Sequence, residues 1–189
     1  MRQIIAKRFE ESISLAAATH DHLAGRLEQA SRLVIECLRR GGCVFTLGNG
    51  GSASDAQHIA GELVGRFLKE RPAWRAEALS AASTVLTALA NDYGYDQVFA
   101  RQLAGKARPG DLVIALSTSG NSANVVAALR QARSMGLPTI AFTGQGGGQC
   151  APLADVLLDA PATLSPRIQE MHALMYHIVC ELVETELAG

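Results

Sequence analysis

Apolar positions in the first forty residues recur at helical spacing. In "IIAKRFEESISLAA" the repeat runs through Ile5, Phe9, Ile13 and Ala16. In "HLAGRLEQASRLVIECLRRGG" it runs through Leu23, Leu27, Ala30, Val34, Cys37 and Leu38. This pattern predicts two amphipathic helices, the second capped by Asp21 and stopped by Gly41 and Gly42. The rhythm then changes. Residues 43–47, 111–117 and 138–144 are short apolar runs rich in β-formers, and "EALS" and "DVLLDA" are shorter runs of the same kind. Helical stretches separate them at 53–67, 82–90 and 122–135. Buried strands alternating with helices imply βαβ units, hence an α/β fold with a parallel sheet covered on both faces. The last stretch, "SPRIQEMHALMYHIVCELVETELAG", predicts a long helix with Ser165 as its cap and Pro166 in its first position.

That last helix is apolar around much of its circumference, through Ile168, Met171, Leu174, Met175, Ile178, Val179, Leu182, Val183 and Leu187. A sheet of modest size cannot cover this face and the N-terminal ones as well. The expectation is a single domain, 1–189, that forms a homo-oligomer through its terminal helices, with 1–42 as the oligomerisation segment.

Composition narrows the classes of function. The chain has 189 residues, 48% of them hydrophobic, and a net charge of −1. It offers no basic field for nucleic acid and no room for a separate DNA-binding helix-turn-helix. Cys37, Cys43, Cys150 and Cys180 form no C-x-x-C pair, which argues against a zinc finger or a disulfide framework and suits a reducing compartment. The charged N-terminus lacks the pattern of a signal peptide, and no apolar run reaches the roughly 20 residues that span a bilayer. A cytoplasmic protein that uses neither membrane nor nucleic acid is expected.

Two turns between strand and helix suit an anion. In "TLGNGGSA" (Gly48, Asn49, Gly50, Gly51), backbone N–H groups and a helix dipole can point at a phosphate; the same turn can also be a tight connection with positive φ at Gly50 or Gly51. Gly48-x-Gly50-x-x-Ala53 satisfies a dinucleotide fingerprint, but the acidic residue wanted at the end of the next strand is replaced by "EALSAAS". No glycine precedes Lys-Ser or Lys-Thr, which excludes a P-loop. In "LSTSGNSANVV", Ser117, Thr118, Ser119 and Ser122 supply more hydroxyls than a helix cap uses, which favours a phosphate monoester. Turns at the carboxyl ends of strands in one sheet face a common crevice, so the ligand is small, polar and phosphorylated.

His58 and Glu62 follow the first turn at i and i+4, a spacing that serves either a surface ion pair or one zinc ion. On the last helix, His177 lies eight residues beyond Gln169, a rise of about 12 Å. Both reach one metal only if it lies between them; otherwise two chains must share the work, and His172 is the nearer alternative. His177 shares a stripe with Glu170, Glu181 and Glu184, which reads as a solvated face. His20 and His22 flank a helix junction and look structural. Asn91 and Asp92 in "NDYGYDQVF" read as a helix-ending turn.

"CVFTLGNGGSASDAQHIAGELVGRF", "ANDYGYDQVF", "LSTSGNSANV" and "RIQEMHALMYHIVCELVE" together resemble the sugar isomerase (SIS) domain family over nearly the whole chain. Within it they resemble the members that interconvert sedoheptulose 7-phosphate and D-glycero-D-manno-heptose 7-phosphate, the first step toward nucleotide-activated heptose for lipopolysaccharide. The resemblance implies a three-layer α/β/α sandwich on a five-stranded parallel sheet, and a homotetramer with sites at subunit interfaces. It implies zinc on His58, Glu62, Gln169 and His177, with Glu62 as catalytic base and His177 as its acid partner. Implied substrate contacts are Asn49, Gly50, Gly51, Glu62, Asn91, Asp92, Ser117, Thr118, Ser119, Ser122 and Gln169. Non-catalytic relatives that bind replication initiators lack the carboxylate and histidine that stand here as Glu62 and His177. A binding or sugar-phosphate-sensing role without turnover is therefore the alternative. Pro166 stands where some members carry an aspartate.

Overall fold

The computed structural model describes residues 1–188. Five strands, β1 (Val44–Gly48), β2 (Ala76–Ala78), β3 (Leu112–Ser117), β4 (Thr139–Thr143) and β5 (Val156–Asp159), form one sheet. Every pairing is parallel, in the order β2-β1-β3-β4-β5. The three long apolar runs are the three central strands, buried throughout. "EALS" overlaps the edge strand β2, which starts one residue earlier, and "DVLLDA" contains the other, β5.

Strand alternation builds two cores. Val44, Leu112, Ile114, Leu116, Ile140 and Phe142 face α1 (Arg2–Arg39), α2 (Gly51–Val64) and α6 (Ser165–Leu187). Phe45, Leu47, Val113, Ala115 and Ala141 face α4 (Val98–Lys106) and α5 (Ala123–Ser134). All four cysteines are buried and unpaired. Burial pushes their thiols up, to about 12 for Cys37 and Cys180 and about 11 for Cys43 and Cys150.

The structure differs from the local expectations at both termini and adds one helix. The N-terminal region is one helix, and Asp21 lies inside it, exposed and paired with His20. Leu23, Leu27, Ala30 and Val34 of α1 belong to the core. α4 carries no apolar repeat long enough to predict it. Leu164, not Ser165, occupies the cap position of α6, and no side chain caps that helix.

Apolar side chains remain uncovered. Ile4, Ile5, Phe9 and Ile13 on α1 are between 56% and 69% exposed, and α3 (Ser83–Tyr93) buries no residue. No helix among the described residues is long and apolar enough to cross a membrane.

Candidate functional site

Strand order reverses between β1 and β3, the point where open parallel sheets hold ligands at their carboxyl ends. The glycine turn follows β1 and the hydroxyl turn follows β3, with Gly48 paired to Leu116 across the two strands. Each glycine of the first turn has its own reason. A Cβ on Gly48 would lie 2.5 Å from the Ser52 carbonyl oxygen. Gly50 takes φ +56°. Gly51, the first residue of α2, leaves room for the Gln169 amide, whose Cδ would lie 3.0 Å from an added Cβ.

Asn49 turns inward. Its amide exchanges two hydrogen bonds with Asn124, at 2.8 and 2.9 Å, and its Oδ1 also accepts from the Tyr95 hydroxyl at 3.0 Å. Asn124 is buried in the first turn of α5, so this exchange locks the two turns together. Tyr95 adds the segment after α3, which carries Asn91 and Asp92. Both are exposed in the last turn of α3, with Asn91 Nδ2 donating to Asp92 Oδ1 at 2.9 Å.

In the second turn, Ser117 and Ser122 hydroxyls lie 3.0 Å apart, and the Asn121 N–H donates to Ser119 Oγ at 3.1 Å. Thr118 faces Ser165 at 3.4 Å, so α6 adds another hydroxyl to the group. The turn contains no cation. An anion here would rest on N–H groups, hydroxyls and the dipole of α5.

Along α2, His58 Nε2 meets Glu62 Oε1 at 2.8 Å, and His58 Nδ1 meets the Tyr176 hydroxyl at 3.0 Å. His177 comes from α6, its ring 5.0 Å from that of His58. Ligand atoms of His58, Glu62 and His177 all lie within 4.8 Å of one another. Two imidazoles and a carboxylate so placed suit a divalent cation such as zinc. Glu62 and His177 therefore meet inside one chain, with no second copy needed to join them. His172, the nearer alternative in the sequence, is excluded. It is fully buried, holds the Thr143 carbonyl through Nε2 at 3.0 Å, and burial lowers its pKa to about 4 despite that bond.

Sequence reasoning passed over several neighbours. Burial, with Asp55, Cys180 and Glu62 close by, pushes the Tyr176 phenol up to about 12, so it stays protonated beside His58. Asp55 has a buried oxygen with no protein partner, and burial raises its pKa. Glu184 was read as part of a solvated stripe, yet it is 2% exposed. Its Oε2 accepts from the Leu68 and Lys69 amides, and its Oε1 from Phe67 N–H and Arg71 Nε. Burial alone would raise its pKa, but these four donors bring it down to about 2.

Comparison with known proteins follows the same lines. The SIS domain family model matches residues 8–144. The phosphoheptose isomerase of Akkermansia muciniphila is 50% identical over 88% of each chain. That of Aliarcobacter butzleri is 45% identical over the full length of both. Among solved structures, phosphoheptose isomerase GmhA from Neisseria gonorrhoeae superposes with a TM-score of 0.92 at 39% identity, covering 97% of this chain and 98% of that one. A phosphoheptose isomerase from Francisella tularensis gives 0.93 at 34%, covering 97% of each.

Proposed function

The chain belongs to the SIS domain family, and on that premise we infer that it is an aldose–ketose isomerase. It converts sedoheptulose 7-phosphate to D-glycero-D-manno-heptose 7-phosphate through an enediol. The observation that carries this reading is the meeting of Glu62, His58 and His177 on helices that also border the two phosphate-type turns.

The reaction moves a proton between adjacent carbons, which needs a base at carbon and a proton donor near the oxygens. Glu62 takes the proton from C1 and returns it at C2. One of its oxygens is engaged by His58, which leaves the other for the sugar. His177 moves protons between the substrate oxygens. Ser117, Thr118, Ser119 and Ser122 hold the phosphate far from the reacting carbons, so remote binding energy orients them. Gly50, Gly51, Asn49, Asn91, Asp92 and Gln169 border the sugar.

His58, Glu62 and His177, with Gln169, would hold a zinc ion, which when bound polarises the carbonyl as a Lewis acid. The uncovered faces of α1 and α3 support a homo-oligomer, read here as a tetramer. A single unit spanning 1–189, a cytoplasmic setting and a place in heptose activation complete the proposal.

The test is incubation of the purified protein with sedoheptulose 7-phosphate, with and without chelator, followed by product analysis. An aldose phosphate is expected. Binding of the ketose without any product would favour the sensing alternative instead.

A further inference from the structure

Glu62 lies in the last turn of α2, and His177 lies on α6. Their separation depends on whatever fixes the end of α2 against α6. A helix leaves its last four carbonyls without intrahelical partners. Here Arg71 takes two of them, Nη2 donating to the Glu62 carbonyl at 2.7 Å and Nη1 to that of Leu63 at 3.0 Å. Nη1 also reaches the Gly65 carbonyl at 3.2 Å. The guanidinium stacks on Trp74, 3.5 Å from the ring centroid. Its Nε donates to Glu184, two turns beyond His177 on α6, and the two side chains are only 3% and 2% exposed. Glu184 also gathers the Phe67, Leu68 and Lys69 amides, and the Phe67 ring lies 5.9 Å from that of His177.

We propose that the buried Arg71–Glu184 pair is a positioning element for the reaction, holding the turn that bears Glu62 at a set distance from the helix that bears His177. The role rests on the isomerase reading given above. A buried pair bonded on every side fixes geometry even where its net contribution to stability is small. Arginine is required because one planar fork must serve a carboxylate and four carbonyls at once, that of Pro72 included; lysine can keep the charge but not the set.

The experiment compares the native protein with Arg71→Lys and with Leu137→Ala, a core truncation just before β4, at the end of the sheet opposite the site. Turnover of sedoheptulose 7-phosphate is measured under conditions where all three are folded, and zinc affinity by competition with a chromophoric chelator. Arg71→Lys is expected to lower kcat by about 10- to 100-fold and to weaken zinc binding by about 10-fold, with KM within about twofold. Leu137→Ala should keep native kcat and zinc affinity. If Arg71→Lys does not fold, Trp74→Leu loosens the guanidinium while keeping the pair, and a several-fold loss of kcat and zinc affinity is expected. Native kcat and zinc affinity in a folded Arg71→Lys, or in Trp74→Leu as its substitute, would overturn the positioning role and leave the isomerase reading standing. Absence of turnover by the native protein would overturn both.

Discussion

Gly51→Ala separates the site from the scaffold. Gly51 opens α2 with ordinary negative φ, so its backbone accepts alanine, and helix propensity favours alanine by up to about 1 kcal/mol. The obstacle is Gln169. An added methyl would lie 3.0 Å from its Cδ, against the 3.4–4 Å of ordinary contact, and closer still to Nε2. The amide is the free end of a flexible side chain, so it must swing aside by about 1 Å rather than strain the backbone. Misplacement on that scale costs about 100-fold in rate, or about 2.7 kcal/mol of transition-state stabilisation. The expected result is kcat reduced about 100-fold, with stability within about 0.5 kcal/mol of native. Gly48→Ala is the counterpart, because its methyl meets the Ser52 backbone carbonyl at 2.5 Å. It should cost about 1–3 kcal/mol of stability. Steady-state kinetics and denaturant unfolding on both variants decide the matter. Native kcat in Gly51→Ala would refute the assignment of Gln169 to the site.

Glu62→Gln should lower kcat by about 10²- to 10⁴-fold while circular dichroism and unfolding stay near native, since the half-buried side chain keeps its shape and loses only its charge. Tyr176→Phe removes the hydroxyl from His58 Nδ1 and should weaken zinc binding by about 10- to 100-fold in chelator competition. Stability should fall with acid in two stages. His172 has a native pKa of about 4 against an ordinary 6.5, so the unfolded chain takes up its proton first, and stability declines between those values by on the order of 3 kcal/mol. His172→Gln should flatten that decline in urea unfolding at pH 7 and pH 5. Glu184, lowered from 4.5 to about 2, stabilises above pH 4.5, and its contribution disappears as pH falls toward 2.

What could be read in advance depended on how local the physics is. The central strands are uninterrupted apolar runs because both sheet faces are covered, and such runs stand out in sequence. The pair His58 and Glu62 stands out for the same reason, since helical spacing alone makes them neighbours. Asp21 misled because an acidic residue before an apolar repeat looks like a cap; packing of Leu23 and Leu27 on the core carries the helix through it. α4 was missed because Val98, Phe99 and Leu103 are too few to set a period. Arg71 and Glu184 stand 113 residues apart, each among other charged residues, and nothing in either neighbourhood marks a buried pair. Asn124 and Tyr176 act through partners 75 and 118 residues away. His177 looked solvated because the acidic residues sharing its stripe were taken for surface, and only the resemblance to a family picked it over His172.

The four sequestered thiols give the fold a built-in timer. At neutral pH each is protonated and shut away from reagents, and the thiolate is the form that reacts. Alkylation of the native protein must then wait for the chain to open. Cys37 and Cys43 flank the turn from α1 into β1, Cys150 lies in the β4–β5 connection, and Cys180 lies on α6. Mass spectrometry of labelled peptides would therefore show which of these three places lets go first, with no engineered cysteine.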